Sequence, residues 1–92
     1  MVEVHPHGEE TYAVKVMASK NTEHIVLLED DYYMELTGGD ILPEELIQNA
    51  IQFLLEKESI EEIEGKFDLT YVQRLFPDFE ARMKQRASEI KV

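Results

Sequence analysis

The sequence contains no cysteine, which excludes disulfides, thiolate metal sites and cysteine nucleophiles together. It has no apolar run approaching the roughly 20 residues of a transmembrane helix. Met1–Gly8 is polar and lacks the apolar centre of a secretory signal, so a cytoplasmic location is expected. No glycine-rich phosphate loop, nucleophile elbow or metalloprotease motif occurs, and there is no internal repeat or low-complexity stretch. Cations are also scarce. Against 20 acidic residues stand 9 lysines and arginines, a formal net charge of -11. Nucleic-acid affinity depends on cations that displace counterions from phosphates, so no nucleic acid is expected as a partner. The same repulsion disfavours an anionic membrane surface. The field favours a basic protein, a peptide or a metal cation.

What is present suits a globular chain. With 43% hydrophobic and 32% charged residues, 92 residues can bury one modest core. A single domain over 1–92 is expected, with 1–10 as a flexible lead-in because Pro6 and Gly8 sit among polar residues. From Tyr12 to Ala18 apolar and polar positions alternate, with Tyr12, Val14 and Val16 on one side. That is the period of a half-buried strand. Lys20-Asn21-Thr22 supplies a turn, and His24–Leu28 reads as a second strand, apolar on both faces. The short connection implies an antiparallel hairpin.

Asp30–Gly39 fits either a third strand or a helix. Acid at the front and Gly38 at the back favour a short helix, with Asp30 or Asp31 as its cap. Pro43 then opens the longest helix, where Glu44 and Glu45 suit the positive end of the dipole. Leu46, Ile47, Ala50, Ile51, Phe53, Leu54 and Leu55 form its apolar face. Ser59 with Glu62 makes a capping box that predicts another helix, through Ile60, Ile63 and Phe67. Asp68 can cap a short helix burying Leu69, Val72, Leu75 and Phe76. Pro77 ends it and starts the last helix, with Phe79, Met83, Ala87 and Ile90 on one face. The expected fold is α+β, an N-terminal antiparallel β-hairpin packed on four to five helices.

Leu36-Thr37-Gly38-Gly39, Pro43-Glu44-Glu45-Leu46-Ile47, Phe53-Leu54-Leu55-Glu56-Lys57-Glu58, Phe67-Asp68-Leu69 and Leu75-Phe76-Pro77 together resemble short bacterial proteins of unknown function. The resemblance spans about two thirds of the chain. Its motifs are caps, core positions and helix breaks, so it implies a fold and no activity.

Two DNA-binding patterns require comparison. Ser59–Thr70 resembles the start of a helix-turn-helix. However, Glu64 stands where a small residue is needed, Asp68 stands where the turn usually holds glycine, and the following helix reaches Pro77 after about two turns with Arg74 as its only cation. The order strand His24–Leu28, helix Tyr32–Thr37, helix Pro43–Lys57 matches ribbon-helix-helix proteins. There the reading residues would be Ile25, Val26, Leu27 and Leu28, none of which can donate a hydrogen bond to a base.

Among chemically active side chains, His5 and His7 flank Pro6, and His24 lies on the second strand as an expected edge residue. Glu29-Asp30-Asp31 lacks the ligand spacing and glycine bend of a calcium loop. Glu61 and Glu64 share a solvated helix side. No catalytic, cofactor-binding or metal-binding residues are assigned and no cofactor is expected. The aromatic cluster Tyr12, Tyr32 and Tyr33 exceeds what so small a core readily holds. Arg82, Lys84 and Arg86, with Lys91, make the last helix the one basic region. These six numbered tyrosines and arginine or lysine positions, Lys91 aside, form the expected interaction surface. The reading is a non-enzymatic protein-interaction module, with a protein partner or self-association as a homodimer. The alternatives are a DNA-binding regulator of ribbon-helix-helix or helix-turn-helix type, and a metal-dependent activity.

Overall fold

Alternation in the first third of the chain builds three consecutive strands, β1 (Val2–Gly8), β2 (Thr11–Met17) and β3 (Asn21–Leu27). The computed structural model describes residues 1–91, with Lys91 by its backbone only. The helices α1 (Asp30–Thr37), α2 (Pro43–Lys57), α3 (Thr70–Leu75) and α4 (Phe79–Lys91) follow, and a short strand β4 (Lys66–Asp68) lies between α2 and α3. The sheet order is β1-β2-β3-β4. β1, β2 and β3 form an antiparallel meander, whereas β4 joins β3 in parallel. The class is α+β, as the sequence suggests, with a sheet of four strands instead of a hairpin. No helix among the described residues is long and apolar enough to cross a membrane.

One face of the sheet is buried. Val14, Val16, His24, Val26 and Phe67 point into the core, where they meet Leu46, Ile47, Ala50, Ile51, Phe53 and Leu54 of α2. The other face carries Glu3, His5, Ala13, Lys15, Glu23, Ile25 and Lys66 in register across the strands. Ile25 and Leu27 are half-buried there. α4 packs on α1 and α2 and buries Phe79, Met83 and Ala87. Phe53 lies at its centre, 5.4 Å from the Phe79 ring and 6.0 Å from the Phe76 ring. Ile90, expected on the apolar face of α4, is exposed.

The expected lead-in is a strand. Val2 and Val4 supply apolar alternation and are half-buried against the core. The bulge between Pro6 and Gly8 interrupts the pattern that would have revealed it. α1 ends as anticipated, with Gly38 in the left-handed region at φ 67° and its N–H on the Met34 carbonyl at 2.8 Å. Its start differs. The N-cap is Glu29, and Asp30 and Asp31 occupy the first turn. The Asp30 N–H instead donates to the Glu10 carboxylate at 2.7 Å, so a side chain from the β1–β2 turn caps the helix.

α2 begins at Pro43 as predicted, and the Glu45 carboxylate accepts the Leu42 N–H at 3.0 Å. The helix expected after Ser59 is absent. Glu62 does accept from the Ser59 N–H and Oγ, at 2.9 and 3.0 Å. Only a single 3₁₀ turn, Ile60–Glu62, follows. Ile63 is already extended, and the chain runs on into β4, whose backbone groups are satisfied by pairing with β3. Asp68 accepts from the N–H and Oγ1 of Thr70 at 2.9 and 2.8 Å, which starts α3. Pro77 precedes α4, whose first residue is Phe79.

Candidate interaction groove

A groove of about 230 Å³ opens where the end of α2, the 3₁₀ turn, β4 and α3 meet. Leu54, Ile63, Phe67 and Val72 form its buried floor. Tyr71 and Leu75 stand over it with relative exposures of 38% and 46%. Both belong to α3, a helix of six residues too short to turn its whole apolar stripe inward. Glu58, Glu62 and Glu64 make the rim. Among the described residues no lysine or arginine pairs with any of the three, whereas Lys57 and Lys20 pair with Asp78 and Glu61. Burial, and then the charges of Glu62 and Glu64, push the Glu58 carboxyl above the usual carboxylate range. Ser59 holds Glu62 below it, through its backbone N–H first and its hydroxyl second. The groove continues along β4 past Lys66, Asp68, Thr70 and Arg74.

Its wall is fastened to the sheet by His24. This residue was expected at a strand edge, but β3 is paired on both sides and the ring is only 4% exposed. Nδ1 lies 2.7 Å from the Glu64 carbonyl, and Nε2 lies 2.8 Å from the Thr22 hydroxyl. A carbonyl can only accept, so Nδ1 carries a proton, and Nε2 accepts from Thr22 when it carries none. The ring thus joins β3 to the segment leading into β4.

The expected interaction residues do not gather in one place. Tyr32 is buried in α1 and its hydroxyl donates to Glu80 of α4 at 3.0 Å. Burial and that carboxylate raise its pKa. Tyr33 is half-buried and donates to the Ile41 carbonyl. Tyr12 is half-buried on β2, and burial followed by Glu44 raises its pKa. The core therefore absorbs most of this aromatic surface. Arg82 pairs with Glu56 at 3.3 Å and lies 5.4 Å from the centre of the Phe53 ring. Lys84 and Arg86 are exposed on α4; the side chain of Lys91 lies outside the described residues.

His5 and His7 sit on the open sheet face, where His5 Nε2 is 3.6 Å from Glu3. Among the described residues no three histidines or carboxylates converge to hold a metal ion. Neither DNA-binding pattern has its geometry. β3 lies inside the sheet and has no free edge for a second subunit, as a ribbon-helix-helix needs. In place of the first helix of a helix-turn-helix stand a 3₁₀ turn and β4.

The sequence pattern sets Leu75 on a buried helix face and gives Tyr71 no role. The signal available was the brevity of α3 between Asp68 and Pro77. No protein-family model, curated protein or solved structure matches the chain.

Proposed function

We propose that the chain is a small non-enzymatic protein-interaction module whose docking element is the groove between α2, β4 and α3. The observation that carries this reading is the pairing of an apolar floor, open to solvent at Tyr71 and Leu75, with a rim of three glutamates that no cation neutralises. Apolar anchors supply affinity once desolvated, and rim charges select and steer the partner. The chemistry that fits is a polypeptide segment presenting an apolar side chain beside lysine or arginine. With a net charge of -11 on each copy, a different protein is favoured over self-association.

Selection from a displayed random-peptide library tests this. Wild type should enrich peptides combining basic and apolar residues, and Tyr71→Ser together with Leu75→Ser should lose them. Both positions are exposed, so the variant keeps its core. Enrichment that survives both substitutions, or no enrichment, refutes the groove as the docking element.

A further inference from the structure

We infer that the partner segment binds in extended form, adding a fifth strand to the sheet along the free edge of β4. The inference rests on the groove being the docking element and specifies how that groove is used.

The hydrogen-bond pattern identifies the free edge. Ile25 N–H donates to the Gly65 carbonyl at 2.8 Å and Leu69 N–H to the Leu27 carbonyl at 2.9 Å. With the parallel register Ile25↔Lys66, Val26↔Phe67 and Leu27↔Asp68, Phe67 supplies the bonds between these two. Along a strand, amide groups alternate in direction. Those of Lys66 and Asp68 therefore point away from β3, at the outer edge of the sheet. This edge runs directly through the groove, between Glu64 and Arg74. A strand laid there would pair with Lys66 and Asp68 through its backbone. Every second side chain would then point to the helix side, toward Phe67 and Tyr71.

The opposite edge of the sheet is blunted. Met1 and Met17 exchange backbone bonds at 2.8 and 2.7 Å, which sets Val2, Val4 and Pro6 with their amide groups outward. The Val2 carbonyl accepts from the Gln48 side chain at 3.2 Å. Pro6 has no N–H to offer, and the bulge beyond it bends the strand. Among the described residues β4 has no proline, no bulge and no side chain bonded to its outer backbone groups, and its three-residue length limits the added pairing to Lys66 and Asp68.

Charge identifies the occupant. Glu58, Glu62 and Glu64 crowd the end of the groove at which β4 begins, while Lys66 and Arg74 offset only Asp68 and one more carboxylate. The added strand is therefore cationic where it passes Glu64. A second copy pairing β4 with β4 about a two-fold axis would join two chains that each carry a net charge of -11, which disfavours it. The other three strands of the chain are already in the sheet, and the cations of α4 are helical.

The full chain, labelled with ¹⁵N, is titrated with a synthetic nonapeptide alternating lysine with valine. Two analogues are N-methylated on alternate amides, one in each phase. The parent should shift the Lys66 and Asp68 amides and slow their hydrogen exchange. One analogue should bind about tenfold or more weaker, through lost backbone bonds, and the other should bind like the parent. Equal binding of both analogues, or shifts confined to Tyr71, Leu75 and their helix, overturns strand addition and leaves the groove reading standing. No shift with any peptide overturns both. Protection of Lys66 and Asp68 without peptide, with a solution mass of two chains, overturns the inference in favour of a second copy.

Discussion

Replacing His24 by alanine removes the imidazole that ties β3 to the segment entering β4. Two bonds disappear, at 2.7 Å to the Glu64 carbonyl and at 2.8 Å to the Thr22 hydroxyl. The hydroxyl can turn toward water, since Thr22 is half-buried. The carbonyl is less free, and a polar group left without its partner costs about 1–3 kcal/mol. Loss of the ring from a site only 4% exposed adds a cavity term of about 1 kcal/mol after partial collapse. Together these give a destabilisation of about 2–4 kcal/mol, or about 10–30 °C in Tm for a domain of this length. Urea unfolding followed by far-UV circular dichroism measures the total. Hydrogen exchange locates it, because the Phe67 and Leu69 amides, bonded to β3, should lose protection before those of α2. His24→Asn keeps a donor near Nδ1 and should recover about half of the loss. A His24→Ala protein within about 0.5 kcal/mol of wild type would refute the reasoning, as would an equal loss with Phe67 and Leu69 still protected.

Two titrating groups give further predictions. The Glu58 carboxyl is raised by burial and by Glu62 and Glu64. Its protonated form therefore favours the fold, and that contribution is lost as pH rises from 4.5 through the raised value. Glu58→Gln should gain about 0.5 kcal/mol at neutral pH, the scale of an exposed charge pair, and the gain should vanish in acid; a constant difference across pH would contradict this. The Tyr32 hydroxyl is raised from 10.0 by burial and by its bond to Glu80. Stability should fall as pH climbs above 10.0, toward the raised value. Tyr32→Phe should reduce this slope, leaving the smaller part due to Tyr12, while costing about 1 kcal/mol near neutrality; chemical unfolding at several pH values reads both, and an unchanged alkaline slope would sink the assignment.

The elements legible in the sequence are those whose signals are local. α2 announces itself through Pro43, the following glutamates and an apolar stripe. α1 does so through its acidic start and Gly38. β2 and β3 follow from alternation and the turn between them. β1 was hidden because His5-Pro6-His7-Gly8 outweighs the two valines before it. β4 has three residues, fewer than any periodicity can define, and it exists because β3, distant in sequence, offers a parallel edge. Ser59 and Glu62 do form their bonds, but a cap cannot extend a helix when the following chain gains more from the sheet. The burial of His24 was equally invisible, since its partner is a main-chain carbonyl 40 residues away that no side-chain identity advertises. The groove combines these failures, because its floor needs β4 in place, its anchor Leu75 looks like an ordinary core position in a helical stripe, and Tyr71 falls outside that stripe.

The capped border of the sheet at β1, with Gln48 on Val2 and proline at position 6, governs what association can become. Fibre growth by edge pairing requires every arriving unit to expose a fresh border for the next. Here one side can receive and the other is poorly suited to pass anything on. A strand received at β4 would thus end the sheet there and not extend it into a continuous ribbon.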